Sequence, residues 1–311
     1  MLRYRADLRT LAFIAAYFVI LATAWRLWDG ASVVARVGLV ALLCACCWLN
    51  AVITHNTIHC PMWRSKFLNR LTQVVLSLSY GFPVSEFKPG HNLSHHRYTQ
   101  QVLDGMRTSN VRYRWNLLNL LLFFLHVGPG VTAENMAYAR RTPNRAWKRQ
   151  LLLEAIVAWS FKLSLLTVAW QKGLALVLIP NLYAVWGITT INLPQHDGCD
   201  ADHPYNHSRN FVGRTFNWLT FNNGFHGIHH MHPELHWSLL PKAHAEQLAP
   251  FIDPRLDRIS LAGYLFEAFV YPGKRVRYDG EPVVLPPPEP TQSWVEAAHN
   301  PNFRNAQRTV T

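Results

Sequence analysis

Apolar and polar positions are gathered along this chain in long blocks. Four blocks stay apolar for about the 20 residues a helix needs to cross a bilayer: Leu11 to Trp28, Val33 to Ile53, Leu151 to Trp170 and Leu174 to Leu193. Short breaks, "DGAS" at 29–32 and "QKG" at 171–173, join them as two hairpins. Two further apolar stretches, 115–127 and parts of 68–84, are short and read as interfacial or buried helices. The pattern predicts an all-α integral membrane protein with four transmembrane helices, and with residues 54–150 and 194–277 outside the bilayer. From Tyr278 to Thr311 the chain contains "EPVVLPPPEPTQS" and predicts an extended or disordered tail.

Charge gives this layout a direction. Only 15% of residues are charged, below the roughly 25% of soluble domains. The net charge is nevertheless +12. Arg3, Arg5 and Arg9 precede the first span, and residues 60–150 hold thirteen Lys or Arg against three acids. The two hairpin breaks hold one Lys between them. Basic loops stay on the cytoplasmic side, so both termini and the long middle loop are expected there. The opening arginines, followed by an apolar run and "ATA" at 22–24, also resemble a secretory signal, but a partner span follows at once. Nucleic-acid binding would account for the charge and leave the spans unexplained. Lys162 lies midway along the third span, with Glu154 near its start, and the sequence offers Lys162 no partner. Cys44, Cys46 and Cys47 lie inside an apolar run as small hydrophobes.

The chemistry lies in the histidines. "HNTIHC" places His55 and His59 at i and i+4, on one helical face just past the second span. "GHNLSHHRYTQ" supplies His91, His95 and His96. On an α-helix the first two share a face and His96 points about 100° further round. "NLPQHDGC" supplies Asn192 and His196 at the end of the fourth span. "HGIHH" puts His226, His229 and His230 on an arc of roughly 100°, which suits one compact metal cluster. His232 and His236 follow around Pro233 and are expected beside the ligands rather than among them. Asp197 and Glu234 are candidates to hydrogen-bond a second ring nitrogen and fix a ligand's orientation.

Nine histidines in four boxes thus reach one side of the membrane, provided there are four spans. Nine imidazoles suit two metals with open positions, where imidazole-bound iron activates O₂. Spacing alone leaves zinc and copper open. A membrane metal transporter would carry its ligands within the spans, whereas here they lie beyond the span ends.

These motifs, HxxxH, HxxxHH, NxxxH and HxxHH in order between paired spans, resemble the membrane fatty acid desaturase family over roughly residues 10–270. The resemblance implies a four-helix stem under a cytoplasmic helical cap. It implies a di-iron centre (Fe2+/Fe3+) bound by His55, His59, His91, His95, His96, His196, His226, His229 and His230, with Asn192 acting through a water. It further implies O₂ as co-substrate, and a lipid or acyl-thioester substrate on CoA or acyl carrier protein. Electrons would come from a separate ferredoxin or cytochrome b5-type donor, since the His-Pro-Gly-Gly of a fused b5 domain is absent, "HPEL" standing instead. The family also includes hydroxylases, ketolases and acetylenases.

Overall fold

The computed structural model describes residues 1–298 and is almost entirely helical. Six helices frame it: α1 (Asp7–Leu27), α2 (Val33–His59), α3 (Lys66–Tyr80), α4 (Asn116–Arg141), α5 (Arg145–Val168) and α6 (Trp170–His196). All but α3 are long and apolar enough to cross a membrane. Ser32, Ser65 and Asn144 cap α2, α3 and α5 by accepting a backbone N–H in the first turn.

α1, α2 and α6 share a core in which Tyr17, Leu21, Leu43, Cys47, Leu176 and Ala184 are buried. The outer faces stay apolar. Val33, Val34 and Val37 of α2 and Leu152, Ile156 and Leu163 of α5 are exposed, as expected of surfaces that meet lipid. All five cysteines are free.

Three expectations change. The stretch 115–127 is the first half of the 26-residue α4, not a short element. Gly128, Pro129 and Gly130 resemble a helix end in sequence, yet the helix continues through them to Arg141. The turn of the second hairpin lies at Ala169, not at "QKG", which is already helical in α6. Gly173 permits this, because a Cβ there would meet the Leu166 backbone at 2.9 Å. Residues 278–298 of the tail are held in place. Arg112 Nη2 donates to the Pro286 carbonyl (2.8 Å), Arg107 Nη2 to the Glu289 carbonyl (2.9 Å), and Trp294 and Val295 are buried with Tyr98 and Leu103. Residues 299–311 of the predicted tail lie outside the described residues.

Lys162 finds its partner in the segment after α3. Its ammonium donates to the Gly81 carbonyl (2.6 Å) and sits over the rings of Trp159 (3.7 Å) and Phe82 (4.4 Å). Gly81 has φ +96°, and a Cβ there would meet Asn181 at 2.1 Å. Glu154 accepts from the Ser85 backbone N–H (2.7 Å) and hydroxyl (3.1 Å). The two charges inside α5 therefore pin the 81–86 loop, which leads directly into the first histidines of the middle segment.

Candidate metal centre

Four elements deliver the histidines. α2 runs six residues beyond its predicted end, so His55 and His59 occupy its last turns. α6 likewise continues to His196. The segment Lys88–His95 is a wide π-helical turn in which the His96 N–H bonds the His91 carbonyl. A short helix, α7 (His226–Met231), carries the last three. Asn210 holds α7 by accepting the Gly227 N–H at 2.7 Å. Asn210 itself belongs to a two-residue parallel pairing, Asn210–Phe211 with Asp257–Arg258.

All nine histidines converge, in two groups: His55, His59, His91, His96 and His229, and His95, His196, His226 and His230. Within each group one ligand nitrogen per residue lies within 4.8 Å of the others. The groups adjoin, with the rings of His96 and His230 stacked at 4.3 Å.

This division departs from the α-helical reading of two boxes. His91 and His95 were expected on one face, but the π turn brings His91 and His96 together and sends His95 to the other group. Such i→i+5 turns are rare and often mark functional sites. In α7, His226 and His230 are one turn apart and stay together, while His229, at i+3, lies about 100° from His230 and serves the other group. "HGIHH" therefore straddles both groups instead of forming one cluster.

The donor chemistry fits metal ions. The Nε2 atom of His96 lies 3.0 Å from that of His91 and 3.1 Å from that of His229. The Nε2 atom of His226 lies 2.9 Å from that of His196 and 3.1 Å from that of His230. A neutral imidazole has one N–H, so such convergence leaves lone pairs facing lone pairs. His59 Nε2 and His95 Nε2 are buried with no hydrogen-bond partner. A cation at the centre of each group satisfies these nitrogens together. Burial first, then neighbouring histidines, hold His91, His96, His226, His229 and His230 well below the ordinary histidine range. They remain in the neutral form that binds metal.

The second ring nitrogens have partners that carry no charge of their own, Asp104 excepted. His95 Nδ1 donates to Asp104 Oδ2 (2.9 Å), and Asp104 is fully buried. His55 Nδ1 lies 3.2 Å from Asn56 Oδ1, and the Asn92 amide is 3.3 Å from His59 Nδ1. His196 Nδ1 reaches the His207 carbonyl (3.2 Å), and Thr99 Oγ1 lies 3.4 Å from His230 Nδ1. One signal for Asp104 was present: it is among only three acids in a basic segment of about ninety residues.

The four residues expected beside the ligands lie elsewhere. The Asp197 carboxylate is buried against Arg275, whose Nε donates at 2.7 Å and whose Nη2 makes a second contact. Glu234 is exposed. His232 pairs at the surface with Gln247 (2.7 Å). His236 is buried, stacks on Tyr4 at 3.9 Å and lies 3.2 Å from Asp7, the first residue of α1. His236→Ala is therefore expected to leave metal content unchanged and to destabilise the fold by about 1–3 kcal/mol, through loss of the ring packed on Tyr4 and of the ion pair with the buried Asp7 carboxylate. Metal analysis together with a melting curve in detergent checks both halves.

Asn192 donates to the Met106 carbonyl (2.6 Å) and lines a cavity beside His95 and His226. That cavity has a volume of about 300 Å³. Its apolar walls come from Tyr80 at the end of α3, Phe82 and Phe87 after it, Phe124 and Val131 of α4, and Leu182, Val185 and Ile188 of α6. His55, His91, His95 and His226 also line it, so it meets ligands of both groups. Against known proteins, a family model described as fatty acid desaturase matches residues 31–260, and no curated protein matches the chain.

Proposed function

Because the chain belongs to the fatty acid desaturase family, we propose that this membrane oxidoreductase introduces a double bond into a fatty acyl chain, using O₂ and two irons. The observation that carries this reading is the apolar cavity that reaches histidines of both groups. A hydrocarbon chain held there lies against these aromatic and aliphatic side chains and beside the metal positions.

His55, His59, His91, His96 and His229 would hold one iron, and His95, His196, His226 and His230 the other. Asn192 would complement the four-histidine group through a water. When bound, such a pair supplies the oxidising chemistry that breaks an unactivated C–H bond. The protein's part is positional. Asp104 orients His95, and the His207 carbonyl orients His196. Phe82, Phe124 and Val185 exclude water and confine the chain, so that one carbon is presented. The electron donor would be a separate ferredoxin or cytochrome b5-type protein. The acyl chain would arrive on a lipid, on CoA or on acyl carrier protein.

Four of the five long helices would cross the bilayer, with the active site and termini in the cytoplasm. α2 and α6 both end at the histidines, and α5 begins where Trp147 donates to the Ser85 carbonyl (3.2 Å) near the same place. α4 joins this region to itself, so it lies along the membrane face instead of crossing. Trp186 of α6 donates to its Leu121 carbonyl (2.9 Å), and its Asn135 donates to the Glu86 carbonyl (3.2 Å). Reporter fusions are expected to place Gly30 outside and Gln100 inside; Gln100 outside would overturn this orientation.

The function is tested by mass spectrometry of total lipids and acyl thioesters from cells that express the protein or a metal-site variant. A product two mass units lighter than its precursor is expected. One sixteen units heavier would make the protein a hydroxylase with the same centre. Absence of both, with a donor supplied and iron bound, would overturn the oxidation reading.

A further inference from the structure

The cavity has an electrostatic character opposite to that of the chain. Thirty Lys and Arg residues give the protein its net charge of +12. Among the described residues none of them lines the cavity, while one carboxylate, Glu86, does. Glu86, Thr132 and Leu182 are the exposed members of the lining and mark its rim. His55, His95 and His226 at the metal groups are buried. The rim is thus polar on the side of Glu86 and Thr132, and apolar at Leu182 on α6.

The polar side holds two acceptors that no protein donor meets among the described residues. Asn135 on α4 spends its side-chain N–H on the Glu86 carbonyl, while its Oδ1 is buried with no hydrogen-bond partner. No hydrogen bond reaches the Glu86 carboxylate among the described residues. The neighbouring cation, Lys162, is committed to the Gly81 carbonyl and two aromatic rings. Lys162 draws the Glu86 carboxyl down, but burial and Glu154 outweigh it and push the group up to about 7. A second anion here would meet like charge at the cavity rim, whereas a donor relieves both acceptors.

We propose that the cavity selects a lipid whose polar end donates hydrogen bonds and carries no negative charge, as in a long-chain alcohol, amide or amine, and that Glu86 and Asn135 recognise that group. A free carboxylate or a phosphate is disfavoured at the same position. The inference rests on the cavity being the substrate site proposed above, and it names the class of head group that enters it.

The test is equilibrium binding of radiolabelled hexadecan-1-ol, hexadecylamine and hexadecanoate to the purified full-length protein in nanodiscs at neutral pH. The alcohol and the amine are expected to bind at least about tenfold more tightly than hexadecanoate, a difference of about 1.4 kcal/mol. Glu86→Gln should abolish the advantage of the amine and keep that of the alcohol. Glu86→Lys should raise hexadecanoate above the amine. Iron content equal to wild type in both variants checks that the fold is retained. Equal binding of hexadecanoate by the wild type, or an unchanged ranking in well-folded Glu86→Gln, would overturn the proposal. Binding requires no turnover, so a failure of the oxidation reading is seen separately, as absence of product with this ranking intact.

Discussion

His229→Ala is expected to abolish oxidation, by at least about 100-fold, and to lower bound iron from about two to about one per chain. His229 is buried, its Nε2 lies 3.1 Å from that of His96, and its ring lies 4.7 Å from those of His55 and His59. It is also the only member of α7 in the five-histidine group, His226 and His230 belonging to the other. Removing it therefore opens one group and leaves the four-histidine group whole. Elemental analysis of purified protein beside product analysis from the same cells makes the comparison. A variant that keeps full turnover would sink the ligand assignment. Loss of both irons would mean that the stacked rings of His96 and His230 couple the two positions.

Asp104→Asn is expected to act on the opposite group, weakening metal binding by about 10–100-fold. The carboxylate is fully buried, accepts from His95 Nδ1 at 2.9 Å, and accepts backbone N–H groups of Gln100 (2.9 Å) and Met106 (2.8 Å). It fixes both the ring of His95 and the loop behind it. The asparagine preserves shape and can still accept, but it removes the negative charge that strengthens the His95 donor. Chelator-driven metal release provides the measurement. One of two kinetic phases should accelerate while the other stays at the wild-type rate. Identical release in both phases would show that Asp104 only shapes the loop.

The local physics of the chain was enough for several features. Hydropathy is a property of short stretches, so α1, α2, α5 and α6 were legible, with ends displaced by a few residues. The displacements matter, because the extra turns of α2 and α6 carry His55, His59 and His196. α4 was missed in part because Gly128, Pro129 and Gly130 disfavour a helix locally, and only packing against α6 and the cavity wall carries it through. The tail was legible as extended between Glu281 and Ser293, but not as bound. Its attachment depends on Arg107 and Arg112, more than 170 residues away.

The sequence by itself determined which nine histidines come together, because residue type and close spacing beside the ends of the apolar blocks are written along the chain. Only the tertiary structure decided which histidine joins which group. A single turn of π geometry exchanges His95 and His96 between groups, and hydrophobic periodicity does not distinguish that turn from an α-helix. The same holds for Asp197 and Asp104. Adjacency to His196 suggested Asp197, but Arg275, 78 residues away, neutralises it. Asp104, with no motif around it, became the partner of His95 because the loop after the π turn folds back. A buried charge goes to whichever opposite charge or donor the fold brings within about 3 Å, and sequence distance does not measure that.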